Sequence, residues 1–167
     1  MSPRSSPVCA RRVSLPPDPY SVWRARGQVA EAIAALIVAR IVIATVPLAR
    51  WRRALGRRVN VAALPDPAVA SAPLPANLAA RRLARAVGRG AARLPGESRC
   101  LARALALHAM LRRRQMAATL LIGVQPRSER GSLDDLHAWV LSRGETLIGM
   151  SDVRYAPLVG FTTERVE

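Results

Sequence analysis

The chain has 167 residues and a formal charge of +15, from 26 basic and 11 acidic side chains, and every basic residue is Arg. The length fits one domain with an appended segment, and 50% apolar residues exclude a disordered basic tail. The two cysteines, Cys9 and Cys100, are too few for a disulfide scaffold or a cysteine-rich zinc site, so a free-thiol, cytoplasmic protein is expected. Residues 1–19 carry five Pro with Ser and Arg and no periodicity, which reads as a disordered or extended lead-in over 1–21. No apolar run follows the first charges closely enough for a secretory signal.

Residues 22–58 are helical in pattern, centred on Ala30 to Val46, and apolar nearly all round, because Glu31 and Arg40 stand on opposite sides of the wheel. A membrane span needs about 20 apolar residues, whereas Arg40 splits this run and Pro47 stands near its end. A helix packed on the rest of the fold is the favoured reading. Peripheral membrane contact, with Arg50, Arg52, Arg53, Arg57 and Arg58 at a headgroup surface, is the alternative.

Four Pro among small residues make 61–76 a linker. From Asn77 a new helix sets Leu83, Val87, Ala91 and Leu94 on one face and Arg81, Arg82, Arg85, Arg89 and Arg93 on the other, and Pro95-Gly96 ends it. A second helix opens after Ser98 and runs to about Arg114. The period then shifts towards 2. Thr119–Val124 reads as a strand, a polar loop covers 126–135, and His137–Leu141 and Thr146–Gly149 are two strands joined by a hairpin turn at Ser142–Glu145. Helices followed by strands make an α+β pattern.

The charge is divided along the chain. Residues 1–115 hold 21 Arg against Asp18, Glu31, Asp66 and Glu97, a balance of +17, while 116–167 hold 5 Arg against 7 acids, a balance of −2. Solvated helix faces account for such a composition, and so does an anionic partner. The basic half has only Tyr20, Trp23 and Trp51 as stacking platforms, with none near Arg112–Arg114, and no zinc-finger or RNA-binding spacing. Nothing points to a specific nucleic acid.

Cys100 falls at the start of the second helix, where unpaired backbone N–H groups and the helix dipole favour a thiolate and could receive an oxyanion. Arg99 and Arg103 push the same way. A nucleophilic thiol needs a base. His108 is eight residues along the same helix, roughly 12 Å of rise away, and sits on the apolar arc as a core histidine. His137 is the remaining base. Asp135 lies about 6–7 Å from it along one strand and cannot readily bond the ring, whereas Asp152 returns across the hairpin. Cys100, His137 and Asp152 are therefore the triad the spacing allows; the competing reading of Cys100 is an inert buried thiol.

Three motifs stand in order: Cys100-Leu-Ala-Arg-Ala-Leu-Ala-Leu-His-Ala-Met-Leu-Arg-Arg-Arg114, Leu121-Ile-Gly-Val124 and His137-Ala-Trp-Val140. Together they resemble a transglutaminase-like cysteine-protease core, and more narrowly the bacterial leader peptidases of lasso-peptide biosynthesis. The resemblance covers about residues 77–160, roughly half the chain. It departs at Gln115, where the family usually has Gly, and at Leu136, usually Ala.

The resemblance implies a transglutaminase-like or papain-like core over 77–167, in which the Cys-bearing helix packs on a small antiparallel sheet. Residues 22–76 would be a helical extension and linker. It places the catalytic roles on Cys100, His137 and Asp152, with no cofactor and no metal. The activity implied is removal of the leader from a ribosomal precursor peptide, freeing the core amine for a separate ATP-dependent lasso cyclase. Residues 1–76 do not read as a strand-rich recognition element, so a separate leader-recognition protein is expected, with Arg81, Arg85, Arg89, Arg99 and Arg103 as its candidate docking residues. A non-catalytic basic adaptor and a membrane-peripheral protein are the alternatives.

Overall fold

Elements follow one another as α1 (Pro19–Thr45), α2 (Leu48–Trp51), β1 (Arg57–Val59), α3 (Leu78–Ala91), α4 (Cys100–Arg113), β2 (Thr119–Val124), β3 (Leu136–Ser142), β4 (Glu145–Ile148) and β5 (Ala156–Thr162), with 3-10 turns at Arg52–Leu55 and Val61–Ala63. The computed structural model describes residues 19–63, 77–96, 99–125, 136–151 and 155–163. Cys9, most of the lead-in and of the Pro-rich linker, the 126–135 loop with Asp135, and Asp152 lie outside the described residues.

The architecture is α+β, with helices packed against one antiparallel sheet of order β1-β5-β2-β3-β4. Two strands join the three expected from the sequence. The helix expected to run through residue 58 ends at Thr45 instead, because Pro47 has no N–H to donate and biases Val46 away from helical backbone. The chain then turns through α2 and a 3-10 turn into β1, which pairs with the end of β5, Arg57 opposite Thr162 and Val59 opposite Gly160.

α4 is the central helix. It packs on β2 and β3 on one side and on α1 and α3 on the other, so Ala102, Ala104–His108, Met110 and Leu111 are all buried. α3 is amphipathic as its spacing requires: Leu83, Ala86, Val87 and Ala91 are buried, and Arg82, Arg85 and Arg89 are exposed. α1 adds Ala32, Leu36 and Ala39 to the same apolar core. Gly90 of α3 lies so close to α1 that a Cβ there would meet Ala32 and Ile33 at 3.4 Å.

Arginines staple these layers together. Glu31 of α1 receives Arg114 through two hydrogen bonds, at 2.9 and 2.6 Å, with Arg113 at 3.2 Å. Arg40 donates to the carbonyls of Pro95 (2.8 Å) and Gly96 (3.1 Å) beyond the end of α3. Arg112 donates to the carbonyl of Ala54. Asn77, buried ahead of α3, donates to the Ser142 carbonyl (2.8 Å) and to Glu145 (2.9 Å), and Arg81 donates to the same Glu145 at 2.6 Å. These bonds fix the β3–β4 hairpin against α3. The hairpin turn is the expected one, Arg143 and Gly144 at φ 50° and 79°, as a two-residue turn of a twisted hairpin requires.

Candidate active site

Cys100 is the first residue of α4 and half-buried. The Arg99 carbonyl receives the N–H groups of Ala102 (3.1 Å) and Arg103 (3.3 Å). The backbone N–H groups of Leu101 and, from β3, of Ala138 favour the charged form of the Cys100 sulfur. The sulfur also lies 3.8 Å from the Leu136 carbonyl. Strand β3 thus lies across the start of α4, with the Cys100 sulfur at the junction.

His137 is brought to that point by β3, where it is half-buried. Its ring lies close enough to the Cys100 thiol for each group to shift the other's titration. Its Nε2 lies 2.8 Å from the carbonyl oxygen of Gly149. A carbonyl only accepts, so Nε2 carries a proton and Nδ1 is the nitrogen left to face the sulfur. In the neutral ring that arrangement presents a lone pair to the thiol, as a general base must.

The electrostatics agree with this geometry. The Cys100 thiol lies below the ordinary thiol range, first through its hydrogen bond to His137, with the Ala138 and Leu101 N–H groups adding to it and burial opposing. His137 lies above the ordinary imidazole range, first through the bond to Cys100, opposed by burial and supported by the Gly149 carbonyl. Each partner favours the charged form of the other, a thiolate beside an imidazolium.

Aromatic rings hold the imidazole in plane. Tyr155 stacks on it with centroids 4.6 Å apart and 24° between planes, and Trp139 lies 6.0 Å away at 21°. Two glycines make room for this cluster. Gly123 stands opposite His137 in the β2–β3 register, and a Cβ there would come within 2.8 Å of the Trp139 ring. Gly149 has φ 85°, and a Cβ there would meet the Ala138 carbonyl at 2.5 Å and Trp139 at 2.7 Å. Only a residue without a side chain lets this backbone come close enough for its carbonyl to reach His137. The Ile-Gly-Val and His-Ala-Trp-Val motifs are therefore one packing unit.

The structure brings Cys100 and His137 together; Asp152, the third residue named from the sequence, lies outside the described residues. Arg81 is engaged by Glu145, and Arg85, Arg89, Arg99 and Arg103 are exposed. His108 is in the core, 1% exposed, bonded to the Phe161 backbone, with its Nε2 unpartnered among the described residues. Sequence reasoning missed the Gly149 carbonyl, the Ala138 N–H and Tyr155. The first two are backbone groups and leave no mark in side-chain identity. Among the described residues no group of three His, Cys, Asp or Glu could hold a metal ion.

Helices packed on one antiparallel sheet, with a thiol at a helix start beside a strand histidine, set the fold class of the molecule. The chain belongs to the transglutaminase-like superfamily, whose family model matches residues 42–160. No curated protein and no solved structure matches it.

Proposed function

We propose that this chain is a cysteine peptidase that removes the leader from a lasso-peptide precursor, working with a separate leader-recognition protein and ahead of a separate ATP-dependent cyclase. The observation that supports the chemistry is the nearness of His137 to Cys100 at the start of α4, each shifting the other's titration, with Nε2 tied to the Gly149 carbonyl. The choice of substrate rests on the three motifs and their order, within superfamily membership over residues 42–160.

The thiolate of Cys100 attacks the scissile carbonyl at the leader–core junction, forming the C–S bond of a tetrahedral intermediate. The imidazolium of His137 gives its Nδ1 proton to the leaving core amine as the C–N bond breaks. Neutral His137 then takes a proton from water, which attacks the thioester and releases the leader acid and the thiol. Throughout, the Gly149 carbonyl holds Nε2–H, so the ring cannot turn to the wrong tautomer. Asp152 adds a carboxylate that stabilises the imidazolium. Arg85, Arg89, Arg99 and Arg103 receive the recognition protein or an acidic leader, with Arg81 at the edge of that surface.

The test is precursor processing read by mass spectrometry with the recognition protein present. Cys100→Ala should lose on the order of 10⁴-fold or more of the rate. Asp152→Asn should lose less than the roughly 10⁴-fold seen where a carboxylate alone sets the tautomer, because the Gly149 carbonyl remains. Undiminished processing by Cys100→Ala overturns the proposal.

A further inference from the structure

α1 has two apolar faces, and the described residues cover only one. Ala32, Leu36 and Ala39 are buried, while Trp23, Val38 and Ile41 stand 70%, 59% and 55% exposed. Ala30, Ala34, Ile37 and Ala44 continue the outward stripe. Beyond Arg26, the two charged residues of α1 are engaged elsewhere, Glu31 by Arg114 and Arg40 by the Pro95 and Gly96 carbonyls. Val22–Thr45 is long and apolar enough to cross a membrane by length and composition. Crossing would pull Glu31 from Arg114 and strip α3 and α4 of the helix packed on them. The helix therefore keeps its inner face on the protein and offers only its outer one.

Both ends of the stripe are basic. Arg24 and Arg26 follow Trp23, with the Arg26 guanidinium 5.6 Å from its ring centroid. Beyond Pro47 come Arg50, Arg52, Arg53, Arg57 and Arg58, all exposed and none bridged to a carboxylate among the described residues. Arg52, Arg53 and Arg58 line a cavity of about 560 Å³ whose walls include Val159 and Phe161. Guanidinium groups over an apolar wall suit a phosphate attached to something greasy. An acidic protein would meet the arginines but leave the stripe bare, whereas a lipid interface offers anions and hydrocarbon side by side.

We propose that the outer face of α1 and the Arg52–Arg53–Arg58 cavity form a docking surface for an anionic membrane. The helix lies along the interface, Trp23 sits at headgroup level, and the three guanidiniums take headgroup phosphates. This surface is separate from Cys100 and His137, so its failure leaves the peptidase reading standing.

Flotation of the full chain tests it, with vesicles of phosphatidylcholine alone and vesicles enriched in phosphatidylglycerol. The wild type should float with the anionic vesicles only, and added salt should release it. The triple variant Arg52→Gln/Arg53→Gln/Arg58→Gln should bind roughly a hundredfold more weakly, since each basic residue near an anionic surface contributes about fivefold. Val38→Ser/Ile41→Ser should bind about tenfold more weakly through lost apolar contact. All altered side chains are exposed, so both variants should melt with the wild type and process a soluble precursor at its rate. Absence of wild-type binding, or unchanged binding by either variant, overturns the proposal. So does wild-type binding that resists salt and alkaline washing, which marks a span. Dimerisation abolished by Val38→Ser/Ile41→Ser, without vesicle binding, assigns the stripe to a second copy and overturns it too.

Discussion

Gln115 ends α4 with φ 54°, in the left-handed region where a Cβ is costly and Gly is at home. This is the position at which the sequence departs from the Gly of the family it resembles, so the departure has a conformational cost. Gln115→Gly should gain about 0.5–1 kcal/mol, after the extra chain entropy of Gly is subtracted, read as a higher urea midpoint. The paired shifts of Cys100 and His137 make a second residue-scale expectation. Their interaction draws the two titrations towards each other, the thiol downwards and the imidazole upwards, and the pair that shares one proton lies between its two proton losses. Processing should therefore rise and then fall with pH, and alkylation of Cys100 by iodoacetamide should begin below the ordinary thiol range. In His137→Gln that onset should move up towards about 8.5; an onset that stays put removes His137 from the thiol's activation.

Among elements, α4 gives the clearest pH expectation. Burial pushes its His108 down from 6.5 to about 4, against the Phe161 backbone bond that raises it. The folded state thus holds the neutral ring while the unfolded chain takes up a proton below about 6.5. His108 contributes stability that is fully present above that pH and lost as pH falls towards 4, on the order of 3 kcal/mol across the window. His108→Gln should flatten the fall in thermal midpoint between those pH values, followed by circular dichroism; an unchanged slope places the acid sensitivity elsewhere.

The elements also show what could be read in advance. α3, α4 and the β3–β4 hairpin were legible because Leu83, Val87 and Ala91 keep helical spacing and Arg143-Gly144 supplies turn chemistry. β1 was not, since Arg57-Arg58-Val59 is a three-residue edge strand with two exposed basic side chains. β5 carries Pro157 and Gly160, which argue against a strand between two neighbours. It tolerates Pro157 because β1 pairs only with Gly160–Thr162, and the register with β2 is irregular at Ile122/Gly123 beside it. At the candidate site, the place of Cys100 at a helix start, of His137 on a strand and of His108 in the core was legible. The Gly149 carbonyl was not, because it acts through a backbone conformation that only the folded hairpin fixes.

For the whole molecule, the charge of +15 includes arginines that bond one element to another. Arg40, Arg81, Arg112, Arg113 and Arg114 join helices to one another and to turns, and three of them donate to backbone carbonyls. A planar guanidinium with five donors suits such bonds better than an ammonium group, which gives the all-Arg composition a structural use. The central claim is that the thiol held at the junction of α4 and β3 becomes covalently acylated by the leader. Acid-quenched mixtures of protein, recognition partner and precursor, read by intact mass, test it most directly. The account predicts a transient adduct of leader mass less water, mapped to Cys100, absent from Cys100→Ala, and longer-lived when His137 is replaced by Gln. Cleaved leader formed at full rate without any adduct on Cys100, or by Cys100→Ala, would contradict it.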